Sequence, residues 1–73
     1  MNMQFTAVIE REGDGYVALC SEFDIASQGD SIEHARENLQ EALELFFECA
    51  PPDEISRRVH SEVYVTKVEV DVA

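Results

Sequence analysis

The sequence predicts an α+β domain with the element order β-β-β-α-β: a three- to four-stranded, mainly antiparallel sheet with one helix packed on one face. Three observations lead there. Apolar and polar residues alternate with period two in the N-terminal part of the chain, a helical repeat follows over residues 32–50, and a valine-rich run then returns to period two. The chain has 73 residues, 45% of them hydrophobic. It has no low-complexity tract or internal repeat, which predicts one folded domain, residues 1–73. So short a chain buries only about 60% of its unfolded surface, so tight helix–sheet packing or self-association is expected to support it.

Residues 3–11 read as the first strand. Met3, Phe5, Ala7 and Ile9 alternate with Gln4, Thr6 and Glu10, while Val8 interrupts the polar side and predicts partial cover of the second face. Gly13-Asp14-Gly15 is a turn signal, because glycine tolerates positive φ. The β-rich residues 16–20 follow at once, so the two segments form a hairpin. Ser21-Glu22-Phe23-Asp24 reads as a loop, and residues 25–28 as a short third strand ended by Gly29.

Asp30 or Ser31 then caps a helix, and Asp30 with Glu33 three residues later is a capping-box-like pattern. The helix runs to about Cys49, where Pro51-Pro52 stops it. On a helical wheel Ile32, Ala35, Leu39, Ala42, Leu43, Phe46 and Ala50 form a core arc edged by Phe47 and Cys49. Glu33, Glu37, Glu41, Glu44 and Glu48 fall within an arc of roughly 80° on the opposite side. No Lys or Arg stands among them, and Leu45 projects beside them. Residues 53–61 read as a loop or a short turn of helix and hold Arg57, Arg58 and His60. Residues 62–72 read as a long final strand. Val68, Val70 and Val72 share a face with Tyr64 and Thr66, and Val63 and Val65 take the other, so a bulge near Thr66-Lys67 or cover on both faces is expected.

The net charge is −11, from 16 acidic and 5 basic residues. Such a surface repels phosphate backbones, so direct nucleic-acid binding is not expected. It suits a basic protein partner and would speed its approach. Like charges at i,i+4 cost a helix about 0.2–0.5 kcal/mol per pair, and Glu33–Glu37, Glu37–Glu41 and Glu44–Glu48 are such pairs. A solvated face selected for helix propensity accounts for the stripe, but a mixed Glu/Lys face would do so without the repulsion.

Catalysis is not expected. Glu10, Glu69 and Asp71 alternate with core positions and should point to solvent, away from a shared metal site. His34 and His60 have no nucleophile or metal-ligand spacing, and Ser21, Ser27 and Ser31 lack a nucleophile elbow. No cofactor or metal is predicted. Cys20 and Cys49 form no Cys-x-x-Cys pair and read as small hydrophobes in a reducing compartment. Met1-Asn2-Met3-Gln4 is no signal peptide, and no apolar run reaches the ~20 residues of a membrane span, so a cytoplasmic location is expected.

Three stretches carry a family resemblance: Gly15-Tyr16-Val17-Ala18-Leu19-Cys20-Ser21-Glu22-Phe23, then Ala26-Ser27-Gln28-Gly29-Asp30-Ser31, then Glu33-x-Ala35-x-x-Asn38-Leu39-x-Glu41-Ala42-Leu43. Together they resemble the N-terminal domain of the HicB antitoxin family, over about residues 3–50. The resemblance implies a small, partial RNase-H-like or double-stranded-RNA-binding-like fold. It also implies a protein-binding role: neutralising HicA, a small basic toxin that cleaves mRNA, with self-association into dimers or tetramers. The alternative is an orphan, self-associating HicB-like domain without a toxin. Residues up to Ala73 hold no match to the DNA-binding domain that many members add, so operator binding is not expected, and the family's usual proline after the second strand is replaced by Ser21-Glu22-Phe23-Asp24. The candidate partner-binding residues are Glu37, Glu41 and Glu44 on the helix stripe, with Glu22, Phe23 and Asp24 in the loop and a strand edge as alternatives.

Overall fold

The computed structural model describes residues 3–60 and 62–73. Its elements run β1 (Ala7–Glu12), β2 (Gly15–Cys20), β3 (Ile25–Gly29), α1 (Ile32–Cys49) and α2 (Pro52–Arg58). The strands form one antiparallel sheet in the order β1-β2-β3, and α1 lies on one of its faces, so the class is α+β.

The β1–β2 hairpin pairs Ala7 with Cys20 through to Glu12 with Gly15. Gly13, at φ 59°, opens its two-residue turn with the positive φ that a tight hairpin needs at that position. The first strand starts at Ala7 and not at residue 3. The backbone N–H of Thr6 donates to the Glu22 carboxylate, a side-chain bond where a strand ladder would need a backbone partner.

Alternation sorts the sheet faces. Ala18 and Cys20 on β2 are buried under α1, and the register places Ile9 of β1 on the same side. Leu19, Val8 and Ala26 lie across from one another on the opposite face. The core is Ala18, Cys20, Phe23, Ala35 and Leu39, with Phe5, Ile9, Ile25, Leu43, Phe46, Phe47 and Ile55 packed around it. Ile32, expected in the core arc, is exposed in the first turn of α1, and Cys49 is exposed in the last.

Ser31 caps α1, its hydroxyl accepting from the His34 backbone N–H at 3.0 Å. The expected Asp30–Glu33 capping pattern is not formed. With Ser31 at the cap, the third helical residue is His34, and its Nδ1 accepts from the Asp30 N–H at 3.1 Å. The helix ends as its sequence requires: Ala50 N–H donates to the Phe46 carbonyl, and Pro51-Pro52 follow. Pro52 then begins α2, a position where its missing N–H costs nothing. Much of the stretch from 53 to 61 is thus helical, with Asp53 and Glu54 in the first turn and Arg57 and Arg58 in the last, matching the helix dipole. Ser61 lies outside the described residues.

The predicted fourth strand is not formed. Residues 62–73 have no regular secondary structure, so the element order is β-β-β-α-α. Valine content confers a preference for extended backbone, but a strand exists only where an edge supplies hydrogen-bond partners. Among the described residues, no backbone hydrogen bond joins this segment to an edge of the sheet.

Candidate functional site

Three features of the surface could receive a partner. The first is the outward face of α1. Glu33, Glu37, Glu41, Glu44 and Glu48 are all exposed along it. Among the described residues the one ion pair lies elsewhere, and the stripe's one side-chain bond runs from Gln40 to Glu44 at 3.4 Å. Leu45 beside the stripe is also exposed. Helix periodicity sets these residues on one side, away from the sheet.

The second is the loop between β2 and β3, whose groups are largely engaged inside the chain. The Glu22 carboxylate accepts from the Thr6 N–H at 2.8 and 3.0 Å, from the Thr6 hydroxyl at 2.9 Å and from the Cys20 thiol at 3.6 Å. Phe23 is buried in the aromatic core. Asp24 holds a left-handed backbone, φ 55°, which aspartate tolerates better than most residues, and its carboxylate meets His60 Nε2 at 2.9 Å. Helix α2 clamps the loop from above. Arg58 donates to the Phe23 carbonyl at 3.0 Å and stacks over the Phe46 ring at 4.9 Å, and the His60 N–H donates to the Glu22 carbonyl at 2.7 Å. Arg58 and His60, of the basic residues after α1, therefore serve this acidic loop. Of the loop trio only Asp24 is exposed.

Partial burial alone would raise the Glu22 pKa. The Thr6 N–H and hydroxyl outweigh it and hold the carboxyl below its ordinary 4.5, whereas burial pushes the Cys20 thiol up. A carboxylate with a lowered native pKa contributes stability that is present in full above its unfolded value and is lost as pH falls through the native value. Replacing Glu22 with Gln is therefore expected to cost about 1.5–3 kcal/mol at pH 7, the usual worth of hydrogen bonds to a charged group. The gap from the wild type should narrow as pH drops below about 4.5. Urea unfolding of both chains at pH 7 and pH 3 checks this, and an equal gap at the two pH values would contradict it.

The third feature is a groove of about 880 Å³ between α1 and the free edge of β1. Ala7 lines it from β1 and Leu43 from α1, the rings of Phe5 and Phe47 stack on one another at 5.5 Å between centroids, and Arg36 and Glu44 also line it. It exists because α1 lies chiefly over β3 and β2, leaving Ala7 exposed although its register partner Cys20 is buried. Leu43, expected on the core arc, packs against the core and also borders this opening, whereas Ala7, on the apolar side of its strand, is exposed; helix placement across a sheet is not encoded in periodicity.

The chain matches no protein-family model, no curated protein and no solved structure. Its sites therefore rest on their own geometry. Among the described residues, no group of His, Cys, Asp and Glu side chains is placed to hold a metal ion. No helix there is long and apolar enough to cross a membrane. The helix stripe brings together Glu37, Glu41 and Glu44, while half-buried Glu22 is engaged by Thr6 and Phe23 is buried among the phenylalanines.

Proposed function

We propose that this domain is a HicB-like, antitoxin-type binding module that captures a small basic protein of the HicA kind and neutralises its mRNA-cleaving activity. The observation that carries the reading is the α1 stripe: five exposed glutamates with no cation among them. Their mutual repulsion weakens the helix that bears them, and a basic partner would relieve it. The resembling segments also support it, because they fall on β2, on β3 with the Ser31 cap, and on α1. The module has no catalytic role of its own, and the cytoplasm is the compartment where Cys20 and Cys49 stay as free thiols.

The test is to mix the protein with the small basic protein encoded beside it and measure affinity against salt. Binding should weaken as salt rises. The double change Glu37→Lys and Glu41→Lys should weaken it roughly tenfold or more. The fold should survive, because Glu33 then faces a lysine at i+4. Absence of binding at low salt would overturn the proposal. The second reading, an orphan HicB-like domain that associates with itself, is favoured by the exposed apolar residues after α2.

A further inference from the structure

We propose that residues 62–73 of one copy add as a fourth strand to the free edge of β1 in a second copy, their valines filling the groove beneath α1. The inference deepens the self-associating reading and does not depend on a toxin partner.

The segment is the most exposed apolar part of the chain. Tyr64, Val65, Val68, Val70 and Val72 are between 67% and 82% exposed. Such a concentration of bare side chains on one stretch marks a contact surface, where single exposed apolar residues would not. Their spacing is that of a strand: Tyr64, Thr66, Val68, Val70 and Val72 share one face. The segment also projects from the body. The radius of gyration is 14.3 Å and the long axis 49 Å, where a compact chain of this length would have a radius of gyration of about 11 Å.

The receiving site has the matching form. The sheet order leaves β1 at an edge, with backbone N–H and C=O groups free to accept a strand. A strand laid there places every second side chain beneath α1, in the groove between Ala7 and Leu43, beside the stacked rings of Phe5 and Phe47. Val68, Val70 and Val72 supply that apolar face. His60, which precedes the segment, is held near the start of β1. His60 N–H bonds the Glu22 carbonyl, and the Glu22 carboxylate holds Thr6 just before the strand. Yet the exposed valines show the segment outside its own groove. Two such chains can exchange these segments reciprocally, which closes a two-fold dimer.

Charge distinguishes this contact from capture of a basic protein. On the outer sheet face the added strand would set Lys67, Glu69 and Asp71 beside Glu10 and Glu12, an excess of like charge. Self-association should therefore tighten as salt rises, opposite to binding at the α1 stripe.

The test uses the full chain. Sedimentation should show a dimer, and in a mixture of isotope-labelled and unlabelled copies, filtered NOEs should connect tail valine methyls to Phe47 and Leu43 of the other copy. The double change Val68→Glu and Val70→Glu, at positions outside the folded body, should raise the dimer dissociation constant on the order of a hundredfold while leaving the circular-dichroism spectrum of the body unchanged. A chain that stays monomeric at high concentration, NOEs that arise only within one copy, or a dimer indifferent to the two glutamates would each overturn the proposal.

Discussion

Phe23→Ala is expected to lower the thermal unfolding midpoint by tens of degrees. The side chain is 2% exposed and touches three other phenylalanine rings: Phe5 and Phe46 at 5.4 Å between centroids, and Phe47 at 5.1 Å. These rings come from the segment before β1 and from the last turns of α1, so Phe23 joins the N-terminus, the β2–β3 loop and the helix. Truncating a buried phenylalanine costs about 3–5 kcal/mol, from lost transfer energy and from the cavity left behind. A domain of this size has only about 4–11 kcal/mol of total stability. The substitution also loosens the perch of Arg58, which bonds the Phe23 carbonyl and stacks on Phe46. Thermal unfolding followed by circular dichroism should show the midpoint falling by tens of degrees, at roughly 4–8 °C per kcal/mol. Phe23→Leu should fall much less. A Phe23→Ala midpoint within a few degrees of the wild type would show that Phe23 does not anchor the core.

Gly29→Ala is expected to be the most damaging small substitution in the sheet. Gly29 closes β3 directly beneath the first turn of α1. A methyl group there would lie 2.5 Å from the Ala35 backbone nitrogen, 2.7 Å from the His34 carbonyl carbon and 2.9 Å from His34 Cγ. Two of these three atoms are helix backbone, so they cannot rotate aside. Either α1 lifts from β3, opening the packing of Ala35 and Leu39, or β3 peels from β2. Overpacking of this kind costs about 1–3 kcal/mol, and more where the neighbours are rigid. We expect a loss of about 3 kcal/mol in urea unfolding, from a change that adds one carbon. Gly13→Ala provides the contrast. Nothing lies within 4 Å of the position, so only the positive φ of 59° opposes the methyl, a penalty of about 1–2 kcal/mol. Equal losses at the two glycines would argue against close approach as the cause at Gly29.

Local signals carried much of the fold. The hairpin, the third strand, the start of α1 after Ser31 and its stop at Pro51-Pro52 follow from alternation, turn residues and capping, all of which act within a few residues. The final strand failed for the complementary reason. Residues 62–72 have strand composition, but pairing is a property of two segments, and among the described residues no strand pairs with them. The helix face was readable in outline, although Ile32 overhangs the sheet and stays exposed. Of the candidate contact residues, Glu37, Glu41 and Glu44 lie where the wheel put them. Glu22 and Phe23 looked like an ordinary polar loop, because neither the Thr6 bonds nor the aromatic cluster leaves a trace in local sequence.

What the sequence by itself determined was the charge, the period of each segment, the positions of the breaks and the acid stripe, since side-chain direction follows from backbone repeat once an element exists. Only the tertiary structure decided which carboxylates are engaged, where the basic residues after α1 go, and that β1 keeps an open edge beside an apolar groove. Those outcomes depend on how elements far apart in the chain are set against one another, and α1 sits over β3 and β2 because Gly29 lets it come close there.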